Sequence, residues 1–211
     1  MDRVADAFLY PFRPGAGRAW LVGIPLVVLL PIGLIPLLGY AVAVVRSSAA
    51  DPAAGPPPWR PLGQILCDGL LVATFLGILT LPFALVVPPL AGAAGHAVSG
   101  FGLDPFLVGP IAVVIAAAVS ALPCGILLLV LMPAATARFA GSNRVCDLLD
   151  IPGALRLVWR RFGPWNLVVV AIVTSWAIGL AGIGLALVGV VPGIVYAVLV
   201  SAHATGTLAD A

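Results

Sequence analysis

Charged side chains interrupt this chain in only a few places, and the apolar runs between them predict its elements. Positions 19–45, 69–103, 105–137 and 162–209 carry no charge at all. A bilayer core about 30 Å thick is crossed by roughly 20 apolar helical residues. A charge at its centre costs about 3 kcal/mol. The pattern therefore predicts an all-α polytopic membrane protein, with lipid as the solvent for most of its surface.

Residues 1–18 predict an amphipathic lead-in helix, with Val4, Ala5, Phe8, Leu9 and Phe12 set against Asp2, Arg3, Asp6 and Arg13. Run 19–45 holds Pro25, Pro31 and Pro36, each of which removes a backbone donor and disturbs a helix. Trp20 and Tyr40 bracket it like interfacial anchors. Segment 46–61 is a Pro-rich linker, extended around Pro56-Pro57-Pro58-Trp59. A transmembrane helix is predicted over 62–90, stopped by Pro88-Pro89. A Gly-rich external loop follows over 91–106, then a second transmembrane helix over 107–132. The polar stretch 133–162 predicts a cytoplasmic loop. Within it Ala154, Leu155, Val158, Trp159 and Phe162 share one helical face. Arg156 and Arg160 take the other face and Arg161 its edge, so these three arginines are candidate lipid-headgroup contacts. Segment 165–203 holds enough apolar length for a transmembrane hairpin with a turn near 181–184.

Arginine positions bear on how run 19–45 meets the membrane. A single crossing divides the ten arginines between two sides, whereas a run that enters and leaves on the same side keeps all ten together. The positive-inside rule favours the second arrangement. Two full spans need about 40 residues, so a hairpin in this run consists of two short half-helices. The expectation is about four full transmembrane helices, amphipathic interfacial helices and an N-terminal Pro-broken re-entrant hairpin, with one kinked span as the alternative. At 211 residues, this makes a single membrane domain.

Composition narrows the picture further. The chain is 62% hydrophobic and 9% charged, against about 25% charged residues in soluble domains. All ten basic residues are Arg and all eight acidic ones Asp, which suggests a GC-rich bacterial genome and a cytoplasmic-membrane location. A net charge of +2 implies no nucleic-acid partner. A cleavable signal peptide ending near Ser48-Ala49-Ala50 is disfavoured, because the preceding run is too long and too proline-rich. Cys67, Cys124 and Cys146 have no metal spacing and are expected as free thiols.

The order of short motifs resembles a family of uncharacterised bacterial and archaeal integral membrane proteins. The motifs are Tyr10-Pro11-Phe12-Arg13, Gly39-Tyr40 with Arg46, Pro57-Pro58-Trp59 before Asp68-Gly69, Pro133-Ala134-Ala135-Thr136-Ala137-Arg138, and Trp165-Asn166. The acidic residues common in that family's linker are mostly Ala and Pro here. The resemblance covers nearly the whole chain and implies architecture, with no activity to carry over. A weaker internal likeness relates Arg18-Ala-Trp20 and Tyr40 to Arg161-Phe-Gly-Pro-Trp165 and Tyr196, as in repeat-built transporters.

Candidate chemistry is sparse. His96 and His203 are the two side chains able to ligate a haem or pigment, but a hydrogen-bonded interfacial role suits each better. No catalytic constellation, nucleotide loop or metal set emerges, so no catalytic, cofactor-binding or metal residues are assigned. Asp68 and Asp104 border apolar runs, where helix-end and turn roles are common. The absence of deep charges disfavours proton-coupled transport. Thr74, Thr80, Ser120, Asn166, Thr174 and Ser175 are the polar residues able to line a groove. Small residues recur at helix-packing spacing: Ala112, Ala116, Ser120 and Cys124, and the pair Gly189 and Gly193. They serve either packing within the chain or an interface with a second copy or partner subunit. The reading is a non-enzymatic scaffold or accessory subunit of a membrane complex. Its alternative is a transporter or channel for a neutral or lipid-like solute. Membrane lipids are partners in either case.

Overall fold

The computed structural model describes residues 2–182 and 189–208. They are mostly helical, with no strand among the described residues. The order is α1 (Asp2–Leu9), a 3-10 turn (Tyr10–Phe12), α2 (Ala16–Val28), α3 (Leu34–Ala50), α4 (Leu62–Ser99), α5 (Pro105–Ser142), α6 (Val145–Leu149), α7 (Ile151–Arg160), α8 (Phe162–Ala181) and α9 (Val190–Leu208). Four of these, α4, α5, α8 and α9, are long and apolar enough to cross a membrane. The protein is a multi-pass membrane protein, and α2 and α3 are shorter apolar helices.

Run 19–45 folds as a helical hairpin. The chain reverses at residues 29–33, where Gly33 N–H donates to the Leu29 carbonyl at 3.2 Å. A side chain at Gly33 would overlap the Leu26 carbonyl, so only glycine fits that bend. The two ends of the hairpin meet. Arg13 Nη1 donates to the carbonyls of Pro52 and Ala54 at 2.7 and 2.8 Å. At 1.5 Å per residue α2 and α3 rise about 20 and 25 Å, short of a full crossing.

The chain divides into two compact units. The first, Met1–Thr74 with Val130–Ala211, is built around α9, which packs against α8, α3, α2 and α1. Close approach explains Gly193 on α9 and Gly189 just before it. A methyl at Gly193 would overlap the backbone of Gly179, and one at Gly189 would lie 2.6 Å from the Gly182 carbonyl oxygen. The second unit, Phe75–Leu129, is the distal part of α4 and the proximal part of α5. Its seam buries Val98, Ala112 and Ala116, and a Cβ at Gly95 would touch Ala112 at 3.7 Å.

Several boundaries differ from those expected. Pro88-Pro89 does not stop α4, which runs to Ser99. Prolines interrupt helices less in apolar surroundings, where neighbouring groups and local adjustments satisfy the freed backbone. The loop expected over 91–106 shrinks to residues 100–104. There Gly102 takes φ +69° and Asp104 Oδ1 accepts from the Phe106 N–H at 2.9 Å. α5 continues to Ser142 rather than ending at 132. Asn143, at φ +56°, ends it with a left-handed cap. The polar stretch 133–162 is therefore mostly helix. The expected turn near 181–184 lies largely outside the described residues.

Candidate functional site

Ionisable residues of the first unit gather at one end of its helices. Arg46, near the end of α3, reaches across to α4 and α5. Its two Nη atoms lie 3.3 Å from Asp68 Oδ2. Its Nε donates to the Ala140 carbonyl at 3.2 Å, and Nη2 donates to Asn143 Oδ1 at 2.6 Å. Asp68 is 8% exposed. A buried carboxylate of this kind is strongly destabilising when its cation is removed. Three helices are thus tied together by one guanidinium.

A second arginine organises the segment after α5. Arg138 Nη2 contacts Asp147 at 3.3 Å and Asp150 at 2.8 Å, while Nη1 donates to the Asp150 carbonyl at 3.1 Å. Asp150 also accepts from the Gly153 N–H at 3.0 Å, capping α7. A side chain at Gly153 would overlap both Asp150 and Arg138. The hydrogen bond from Arg138, followed by that from Gly153, holds the Asp150 carboxyl below the usual carboxylate range.

The third group is internal. His203 on α9 is 1% exposed; its Nδ1 lies 2.8 Å from Ser48 Oγ on α3, and its ring stacks on Tyr10 at 4.0 Å. Burial pushes the Tyr10 hydroxyl up to about 12, against lowering by nearby Ser48 and Arg13. That hydroxyl has no partner at hydrogen-bonding geometry, since the Ser48 Oγ engages His203. His203 is a core residue rather than an interfacial one. His96 is exposed on α4, with Nδ1 2.8 Å from the Gly92 carbonyl oxygen. Among the described residues, no group of three His, Cys, Asp or Glu side chains could hold a metal ion.

The other candidates fall as follows. Ala112, Ala116 and Ser120 are buried and Cys124 half-buried, and the Ser120 hydroxyl has no partner. Cys67 and Cys146 are exposed. Arg156 and Arg160 are exposed on α7, whose outward face also carries Leu155, Trp159 (82% exposed) and, just beyond it, Phe162. Arg161 helps to line a cleft of about 370 Å³ with Arg46 and Arg138. Thr74 and Thr80 bond back to carbonyls of their own helix, as does Ser175; Asn166 and Thr174 are exposed. The clefts at the polar end are lined by other residues. Trp20 and Trp165 sit differently. Trp20 donates to the Pro11 carbonyl, whereas Trp165 is buried without a partner for its indole N–H.

Sequence reasoning did not find the Arg46–Asp68, Arg138–Asp150 and Ser48–His203 pairs. The available signal was that Arg46, Asp68 and Arg138 all belong to the short motifs of the family resemblance. Those motifs meet in space as structural ties. Tyr40 stacks on Trp59 at 3.9 Å and donates to the Pro57 carbonyl at 2.8 Å. Gly39 and Gly69 face each other where α3 crosses α4.

No curated protein and no solved structure matches this chain. One family model does, over residues 22–200, which takes in α3 to α8 and much of α2 and α9. The chain belongs to that family, described as protein of unknown function (DUF4013).

Proposed function

We propose that this protein is a non-enzymatic scaffold or accessory subunit of a complex in the bacterial cytoplasmic membrane. The observation that carries the reading is the apolar surface left open on α4 and α5. In their most apolar stretches 17% and 11% of residues are buried, against 33% and 50% in α8 and α9. Length adds to this. The uncharged, helical stretch 105–130, before α5 becomes buried at Leu131, Ala134 and Ala135, rises about 39 Å, against about 30 Å of hydrocarbon. Matching it by tilt alone takes roughly 40°, the limit of the usual range. A neighbouring membrane subunit would cover the excess.

The remaining features suit a protein seated on one leaflet. The hairpin of α2 and α3 re-enters the bilayer, its joined ends at the cytoplasmic face beside Arg46 and Arg138. α7 lies in the interface with Leu155, Trp159 and Phe162 toward lipid, and Arg156, Arg160 and Arg161 toward headgroup phosphates. A photo-crosslinking residue at Val114 or Leu122, both well exposed on α5, tests the reading in cells. One discrete protein adduct of the same size from both positions is expected. Lipid adducts alone, together with solute movement by the purified chain in liposomes, would favour the transporter instead.

A further inference from the structure

We infer that a cleft between α2 and the Pro-rich linker binds the phosphate headgroup of an anionic phospholipid. The cleft has a volume of about 680 Å³ and is lined by Arg18, Leu21, Val22, Pro58, Trp59 and Arg60. It brings two arginines to one opening, one from the first turn of α2 and one from the linker's end. Both are exposed, and neither guanidinium has an ion-pair or hydrogen-bond partner among the described residues. The carboxylates of this end are engaged elsewhere, Asp6 with Arg13, Asp68 with Arg46, Asp147 and Asp150 with Arg138, and Asp51 with the Ala53 N–H. Two unpaired guanidiniums at one cleft are a phosphate-binding arrangement, because each offers planar paired donors to phosphate oxygens. Trp59 forms the rest of this wall, with its indole N–H buried and without a partner.

The wall is preformed. Trp59 is stacked on Tyr40, itself 1% exposed, and the Tyr40 hydroxyl donates to the Pro57 carbonyl. Arg13 holds the start of the linker through two carbonyls. A ligand therefore meets a wall already ordered. The apolar side specifies an amphiphile rather than free phosphate. Leu21 is 75% exposed and Val22 39%, and both lie on α2 beside the arginines. An acyl chain following α2 would cover them while the headgroup stays at the linker.

The test uses the purified full chain in detergent, with native mass spectrometry after addition of phosphatidylglycerol or phosphatidylcholine. The wild type should retain phosphatidylglycerol preferentially. The double variant R18Q/R60Q should lose about tenfold of that preference, from roughly fivefold per arginine near a lipid surface discounted for partial exposure. R18K/R60K, which keeps the charge, should retain more lipid than the glutamine variant. Arg144→Gln removes an exposed arginine outside the cleft and should change nothing. Equal retention of both lipids, an unchanged R18Q/R60Q, or an equal loss in R144Q would overturn the proposal. So would displacement of the lipid by millimolar inorganic phosphate, which would assign the cleft to the free anion.

Discussion

Gly39→Ala tests whether the close crossing of α3 and α4 holds the hairpin in place. A methyl group at Gly39 would overlap the Ile65 carbonyl oxygen and lie 2.7 Å from its carbon and 2.9 Å from the Gly69 nitrogen. These are backbone atoms, so no rotamer change relieves them and the helices must separate. Overpacking of this kind costs about 1–3 kcal/mol, and the absence of a yielding side chain puts the cost near 3. Against that, alanine is favoured over glycine within a helix by about 1 kcal/mol. The net loss is about 2 kcal/mol, or a melting temperature lower by roughly 4–8 °C for a chain of this size. Gly63→Ala is the control, since Gly63 lies in the first turn of α4 with nothing within 4 Å of an added Cβ. It should raise the melting temperature by a few degrees at most. Thermal unfolding of the two purified variants in one detergent, followed by size exclusion, makes the comparison. If G39A melted with or above G63A, the tight crossing would be wrong.

The Asp150 cap predicts a pH dependence. Its folded pKa is depressed, so its contribution is present above the unfolded value of about 3.9 and is lost as pH falls through the lower folded value. The melting-temperature gap between wild type and D150N should be constant from pH 7 to 5 and shrink below pH 4; a constant gap at pH 3 would refute the capping role. On α7, Trp159→Asp with Arg160→Asp should leave the protein in carbonate-washed membranes while proteolysis within 143–161 becomes several-fold faster. Unchanged cleavage would contradict the seating of that helix on lipid.

Much of the architecture could be read from charge spacing because a bilayer tolerates few exceptions. The four long apolar helices follow from uncharged runs, and α7 from a 3.6-residue alternation bounded by Pro152 and the arginines. The hairpin was readable in part. Arginine placement favoured ends on the same side of the membrane, while the contact that joins the ends, Arg13 with Pro52 and Ala54, involves backbone carbonyls that leave no mark on composition. Pro88-Pro89 misled because a rule from helices in water was applied where a helix has no better alternative. The polar ties were harder to foresee. Asp68 looked like a helix-end residue, and its partner lies 22 positions away on another helix. A lone His203 gave no sign that Ser48 and Tyr10 would enclose it. Gly189 and Gly193 were visible as a small-residue pair, but their partners Gly182 and Gly179 depended on how α8 and α9 cross.

The central claim is that residues 16–50 enter and leave one leaflet, so that everything polar except the loop at 100–104 lies on one side. Single-cysteine variants in a background lacking the other thiols test it directly. Pro14→Cys, Asp51→Cys and the native Cys146 report the two hairpin ends and the segment after α5. Phe101→Cys, at a position 81% exposed, reports the opposite loop. With an impermeant thiol reagent on intact cells, the account predicts labelling of F101C alone, and labelling of the other three only after permeabilisation. Labelling of P14C from outside while D51C stays protected would show that the segment crosses the bilayer, and would contradict the account.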